Sequence, residues 1–246
     1  MVNSNKIDSF NKSQYYIHGT HAVIAAAKNT ERNVKKIFCL GKQESILKQS
    51  IKNYPIEVVD NNFITQKIGK DQLHQGVIAL VDTIFKKSIE ELKFNEGADR
   101  VVILDQICDP QNIGAIIRSA AAFGIDKIIM PKDNAPDENA TIAKTACGCL
   151  ELVQIAKVTN LQQSIKYLKD NGFWIAGLDA NGDQNINQVI NIDKIAIIIG
   201  SEGKGMRNLT SKSCDFLVSI PISSQVESLN ASNTASIIFY LLNNLT

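Results

Sequence analysis

Three stretches of the chain place small, polar and charged residues where an apolar run ends, and each could do chemistry. The first is D-P-Q-N-I-G-A-I-I-R-S-A-A-A-F-G at 109–124. Asn112 sits where the cap of a following helix is expected, and Gly114 keeps the helix start slim. Arg118 lies among Ile116, Ile117, Ala120 and Ala121. The chain uses four arginines against 22 lysines, so an arginine here suits a planar fork on phosphate, the alternative being a side chain snorkelling to solvent. The second stretch, A-I-I-I-G-S-E-G-K-G-M at 196–206, carries Gly200, Gly203 and Gly205 around one acid, Glu202. Glycine permits positive φ and lets a ligand approach bare backbone, so a branched side chain at Gly203 is expected to crowd the loop. The spacing is neither that of a phosphate-cradling loop nor that of a dinucleotide fingerprint. Exposed amides and one carboxylate suit a cofactor with an adenosine and no phosphate; the alternative is a tight surface turn. The third stretch, 220–237, has Pro221 leaving a backbone acceptor at Ile220, with Ser228 and Asn230 flanking Leu229 as helix-start polar groups. No Ser–His–Asp set accompanies them. Cys147 and Cys149 form only a C-x-C, far in sequence from His18, His21 and His74, so no metal site is expected. Group transfer from a bound cofactor fits better than covalent hydrolysis.

These corners need elements to hold them. From residue 100 onward, apolar runs read as buried strands at 101–105, 127–130, 151–155, 173–178, 196–199 and 216–220. Helical patterns lie between them at 113–123, 141–147 and 161–171, with a short helix from 206 and a last one at 228–243. That last helix is apolar on more than one face at Ile237, Ile238, Phe239, Leu241 and Leu242, which suits a contact between two copies of the chain. Strands alternating with helices give a parallel α/β sheet, and each corner falls at the carboxyl end of a strand, where such sheets bind ligands. Residues 15–82 form a smaller α/β unit, with helices at 18–28, 43–52 and 61–69 and strands at 34–40, 56–59 and 76–81. Residues 83–99 are charged and weakly patterned, which fits a linker. The Asn/Ser/Lys-rich 1–14 reads as a disordered tail.

Length and composition agree with two globular domains. The 246 residues are 44 % hydrophobic and 21 % charged, with a net charge of +1. An odd count of five cysteines, no signal-peptide pattern and no long apolar run point to the cytoplasm rather than a membrane or an oxidising compartment. Residues 1–99 hold 14 Lys/Arg against 11 Asp/Glu, the excess falling between Lys28 and Lys52. That stretch is either a docking face for a polyanion or a solvated lysine surface.

In combination the three stretches resemble a known family. N-x-G-A-x-x-R-S-A, a strand ending G-x-E-G-x-G, and I-P-I followed by S-L-N-x-S, in this order, are similar to the motifs of the SpoU (TrmH-type) class of SPOUT RNA 2′-O-ribose methyltransferases. I-H-G-T-H-A-V (17–23) and H-Q-G-V-I-A (74–79) resemble the L30e-like domain that precedes this core in RlmB-type enzymes. A-C-G-C-L-E, V-T-N-L and G-M-R-N-L-T point the same way. The resemblance implies an α/β chain with an L30e-like N-terminal RNA-binding domain and, at 100–246, a SPOUT domain with a deep trefoil knot. It implies S-adenosylmethionine held by backbone groups at Gly200, Ile220 and Leu229. Asn112, Arg118, Glu202, Ser228 and Asn230 would line the transfer site of a homodimer. The implied substrate is a guanosine ribose of 23S rRNA or its precursor, and not DNA. Ser224 stands where the family usually carries glycine, and S-L-N-A-S-N-T replaces S-L-N-V-S-V-A. These two departures bear on the shape of the cofactor loop. A tRNA or another rRNA nucleotide as target, and a non-catalytic RNA-binding assembly protein, are the competing readings.

Overall fold

The computed structural model describes residues 13–243. The chain divides into two compact units, Met1–Thr83 and Ile84–Thr246. The proposed disordered tail falls outside the described residues except at its end, where Ser13 accepts a hydrogen bond from the Thr83 amide and Gln14 begins a strand.

The first unit contains β1 (Gln14–His18), α1 (Thr20–Lys28), β2 (Val34–Cys39), α2 (Gly41–Ser50), β3 (Ile56–Val58), α3 (Asn61–Ile68) and β4 (Val77–Asp82). Its sheet runs β1-β4-β2-β3, antiparallel except between β2 and β3. The segment expected as a helix from residue 18 instead starts as a strand. His18 ends β1, and Gly19, at φ +96°, turns the chain into α1. Tyr16, Phe38, Ile64 and Ile78 close a small core in which the Phe38 and Phe63 rings lie 4.9 Å apart. The basic stretch is thinner on the surface than in the sequence. Arg32 is buried and donates to the Asp82 carbonyl, Lys35 pairs with Asp82, and Lys48 pairs with Glu44 one helical turn away. Lys28, Lys36, Lys42 and Lys52 remain exposed.

The second unit contains β5 (Asp99–Leu104), α4 (Pro110–Ala122), β6 (Lys127–Pro131), α5 (Ala140–Ala146), β7 (Gln154–Val158), α6 (Leu161–Asp170) and β8 (Trp174–Leu178). It continues with β9 (Gln184–Asn185), β10 (Lys194–Ile199), α7 (Asn208–Lys212), β11 (Phe216–Ser219) and α8 (Ala231–Asn243). The strands form one parallel sheet in the order β7-β6-β5-β10-β8-β11-β9. Their near-continuous Ile/Val/Ala runs are what burial on both faces demands. Gly114 in α4 marks a close helix–helix approach: a Cβ there would stand 2.6 Å from Thr145 Cβ and 2.8 Å from the Ile142 carbonyl oxygen of α5.

Two boundaries differ from the sequence reading for physical reasons. The strand expected at 151–155 begins at Gln154, because Cys149–Leu152 is taken up by a 3-10 turn after Cys147 and Gly148 enter the left-handed region. The expected linker is not free of the second unit. Phe85, Ile89 and Leu92 are buried, and the latter two pack in a core with Val101, Ala156, Leu161 and Phe173. The buried Glu138 carboxylate anchors the start of this segment, accepting from the amides of Ile84 (2.6 Å) and Phe85 (3.1 Å). The charged residues between them conceal these three widely spaced core anchors in the sequence.

Candidate active site

The carboxyl ends of β5, β8, β10 and β11 face one edge of the sheet, and the three sequence stretches leave from there. After β5 the chain turns at Gln106 (φ +64°), and Asp109 caps α4 by accepting from the Gln111 amide at 2.9 Å. Pro110 at the first helical position favours that start. Asn112 is therefore not the cap expected from sequence but lies in the first turn, its side chain free to work elsewhere. It reaches the loop after β10, donating from Nδ2 to Glu202 Oε1 at 3.0 Å.

Glu202 Oε1 collects two further donors, Asn230 Nδ2 at 2.6 Å and the Ala231 amide at 3.2 Å. Asn230 Nδ2 also lies 3.0 Å from Asn112 Oδ1. Asn112, Glu202 and Asn230 thus form one closed network tying all three stretches together. Its acid stands at the positive end of α8, where a carboxylate is favoured. The helix starts at Ala231 rather than Ser228, and Asn230 is the capping side chain: its Oδ1 accepts from the Ser232 amide at 2.9 Å. Ser228 makes no capping hydrogen bond among the described residues and lines the recess described next.

The loop after β10 is a tight hairpin in which Ser201 and Gly205 exchange backbone hydrogen bonds of 3.2 and 2.8 Å. A Cβ on Gly200 would stand 2.3 Å from the Gly205 carbonyl carbon, so no side chain fits there. Gly205 takes φ +63°. Gly203, by contrast, has nothing within 4 Å of a built Cβ, so the crowding expected at that position belongs to Gly200. Beneath the hairpin, and missed from sequence, the fully buried Asp105 at the end of β5 holds Arg207, accepting from its amide at 2.9 Å and its Nε at 2.7 Å. Gln106 Nε2 donates to the Gly205 carbonyl at 3.1 Å. An acid closing the apolar run V-V-I-L-D is the one sequence signal for this clamp.

Between the Gly200 hairpin, the end of β8 and the segment before α8 lies a recess of about 520 Å³. Leu178, Ile199, Val218, Ile220, Ile222 and Leu229 supply apolar wall, while Glu227, Ser228 and Asp179 supply polar groups. Gly200, Glu202, Ile220, Ser228 and Leu229 all line it, so five of the eight residues expected at the site meet there. Asn112 and Asn230 stand behind it through Glu202. Arg118 does not join them. Six residues beyond Asn112 on α4, it is displaced by about 9 Å along the axis and about 120° around it. It is exposed and has no hydrogen bond or ion pair among the described residues. The other three arginines are engaged: Arg32 with Asp82, Arg100 with the Asp193 carbonyl, and Arg207 with Asp105. Among the described residues no group of His, Cys, Asp or Glu could hold a metal ion, and the five cysteines are free.

A parallel sheet whose carboxyl edge carries a recess of mixed apolar and polar lining, preceded in the chain by a small α/β unit, defines a two-part α/β protein with a ligand site at the sheet edge. The chain belongs to the SpoU rRNA methylase family, whose model matches residues 99–240. A second family model, RNA 2′-O ribose methyltransferase substrate binding, matches residues 16–85. Among relatives, a Staphylococcus aureus protein assigned to the TrmH family of tRNA/rRNA methyltransferases is 40 % identical over 235 residues, covering 91 % of this chain and 93 % of its own. Among solved structures, the SpoU methyltransferase AviRb from Streptomyces viridochromogenes, in complex with the cofactor AdoMet, superposes with a TM-score of 0.80 at 21 % identity, covering 94 % and 90 % of the two chains. The AdoMet-bound rRNA methyltransferase from Sinorhizobium meliloti gives 0.81 at 19 % identity, covering 94 % and 87 %. At those identities the likeness is one of fold.

Proposed function

We propose that this protein transfers a methyl group from S-adenosylmethionine to the ribose 2′-hydroxyl of a guanosine in 23S rRNA or its precursor, as a cytoplasmic homodimer. The observation that carries the cofactor assignment is the composition of the recess. Apolar side chains (Leu178, Ile199, Val218, Ile220, Ile222, Leu229) and glycine backbone share its lining with the acids Glu202, Glu227 and Asp179, and Lys204 is its one basic lining residue among those described. A polyphosphate would be repelled there, whereas an adenosine packs on apolar wall and a positively charged sulfonium sits well beside carboxylates. Backbone groups at Gly200, Ile220 and Leu229 would hold the nucleoside. The knot implied by the family belongs with this reading.

The cofactor, when bound, supplies an activated methyl group; the chain's own residues must position the acceptor. Positioning of a well-oriented pair is worth roughly 7–11 kcal/mol. The Asn112–Glu202–Asn230 network fixes the recess wall and the start of α8 in one geometry. Arg118 grips the phosphate beside the target and eases loss of the hydroxyl proton. It does so at the site of the second protomer, a reading supported by its exposure and its absence from the recess of its own chain. The dimer would use the exposed side of α8, where Ile237 and Tyr240 remain 38 % and 53 % exposed, Tyr240 packing edge-on with Phe123. Ile238, Phe239 and Leu242, expected from sequence at that interface, are already buried within the protomer.

Support for an RNA ribose as acceptor comes from the family and from the separate substrate-binding unit at 16–85. No helix among the described residues is long and apolar enough to cross a membrane. The test is to map 2′-O-methyl sites in ribosomal RNA and tRNA from a deletion strain. Loss of one guanosine methylation in 23S rRNA, restored by the gene, is the expected outcome. Loss confined to tRNA would reassign the substrate, and no loss together with no S-adenosylmethionine binding would favour the assembly-protein reading.

A further inference from the structure

A second recess of about 530 Å³ lies beside the Gly200 hairpin, lined by Gln106, Cys108, Asn134, Ser201, Gly203 and Lys204. We propose that it receives the unpaired base of the target nucleotide, with Gln106 and Asn134 as the residues that read it; this rests on the methyltransferase reading above. Ser201, Gly203 and Lys204 line both recesses, so the two adjoin along the hairpin. A transferring methyl and its acceptor oxygen must come within about 3–3.5 Å. A base seated in the second recess leaves its ribose at that shared margin, beside the cofactor recess.

The lining is chemically suited to a base edge. It offers two carboxamides, a hydroxyl and a thiol, with the charge of Lys204 at the junction. Gln106 is held in a defined orientation: its Nε2 is committed to the Gly205 carbonyl, which leaves its Oε1 as an acceptor for a base N–H. Cys108 is likewise fixed, its thiol donating to the Asn134 carbonyl at 2.8 Å. The Asn134 carboxamide makes no hydrogen bond among the described residues, leaving both its donor and its acceptor for a ligand. Gln106 stands at φ +64°, a left-handed conformation that costs free energy and persists where the surroundings fix it, while Asn134, at +58°, takes the left-handed turn that asparagine adopts readily. The ammonium of Lys204, unpaired among the described residues, lies where the phosphate next to the target ribose would pass.

The experiment uses the full chain, tritiated S-adenosylmethionine, and total RNA from a strain lacking the gene as methyl acceptor. Cys108→Phe fills the recess from an exposed position and should lower kcat/KM for RNA by about 100-fold or more, with the Kd for S-adenosylmethionine by calorimetry within about threefold of wild type. Asn134→Ala, a truncation that leaves the space open, should raise KM for RNA about tenfold, the worth of one base hydrogen bond, without changing cofactor Kd. Loss of cofactor binding in Cys108→Phe would make the recess an extension of the cofactor site and overturn the proposal. RNA kinetics within about threefold of wild type in both variants would also overturn it. A wild-type chain that neither binds cofactor nor methylates RNA would instead sink the parent reading, before any variant is compared.

Discussion

At the residue scale, Arg118 carries the sharpest expectation because it is the arginine the protein itself leaves unengaged among the described residues. Arg118→Ala should lower methyl transfer by about 100-fold, a loss of about 3 kcal/mol of transition-state stabilisation, while cofactor affinity stays within about threefold. Turnover near wild type would show that the side chain merely snorkels. Gly200 gives the complementary result. A Cβ there meets hairpin backbone at 2.3 Å, which no rotamer change relieves, so Gly200→Ala should abolish S-adenosylmethionine binding by calorimetry with circular dichroism unchanged. Gly203→Ala, with open space around its Cβ, should keep the hairpin and affect binding far less. Equal effects of the two would mean that the hairpin rearranges when it binds. Both glycines look alike in the sequence, and only the backbone pairing of Ser201 with Gly205 tells them apart. Cys214 makes a chemical check on the packing beneath. Burial, reinforced by Asp215 and Asp105, pushes its thiol up to about 12. At about pH 8 it stays protonated and should resist alkylation, while the exposed Cys108 and Cys147 react.

At the scale of elements, most of the second unit is legible because parallel strands buried on both faces write themselves as apolar runs, as in V-V-I-L and A-I-I-I. What stays hidden is what depends on partners distant in the chain. Asn112 looks like a helix cap by position, yet Asp109 and Pro110 start α4 earlier and release Asn112 to meet Glu202, far along the chain. Ser228 looks like the cap of α8, yet the helix waits for Asn230. The network that results makes Asn230 a joint between elements, so its replacement should cost more than a surface cap. Asn230→Ala removes the cap, worth about 1 kcal/mol, and leaves Glu202 and Asn112 without a shared partner. A fall in Tm of about 2–4 °C is expected, since one kcal/mol moves a domain of this size by that much. Pairing it with Asn112→Ala should give less than the sum of the two single losses, because both act through one network. Strict additivity would show that the three side chains are neighbours without coupling.

At the scale of the whole molecule, the division between the units sets where the chain can be cut. A boundary at residue 100 looks natural in the sequence, because 83–99 reads as a charged connector. The structure buries Phe85, Ile89 and Leu92, the latter two in the core of the second unit, each worth roughly 1.5–3 kcal/mol on full burial. It also puts Asp99 in a buried pair with Lys127 at 2.9 Å. Starting at residue 100 would expose the core those side chains cover and strand Lys127 with Asp126 alone; breaking a buried pair this way costs about 3–5 kcal/mol. A chain of residues 84–246 should therefore fold, bind S-adenosylmethionine as the full protein does, and keep its quaternary state, whereas 100–246 should be much less stable or fail to fold. Because the whole recess lies within the second unit, RNA affinity and cofactor binding become separable in the 84–246 chain. Lys28, Lys36, Lys42 and Lys52 are the exposed cations of the Lys28–Lys52 stretch with no acidic partner among the described residues. If these four meet phosphates, removing the first unit should flatten the slope of log K against log salt by about 0.7–0.9 for each phosphate no longer neutralised, about 3 in all. A salt titration of binding to 23S rRNA fragments, run on the full chain and on 84–246, measures it. Equal affinities and equal slopes would mean that the lysines of the first unit are only solvated, and that the catalytic unit finds its RNA alone.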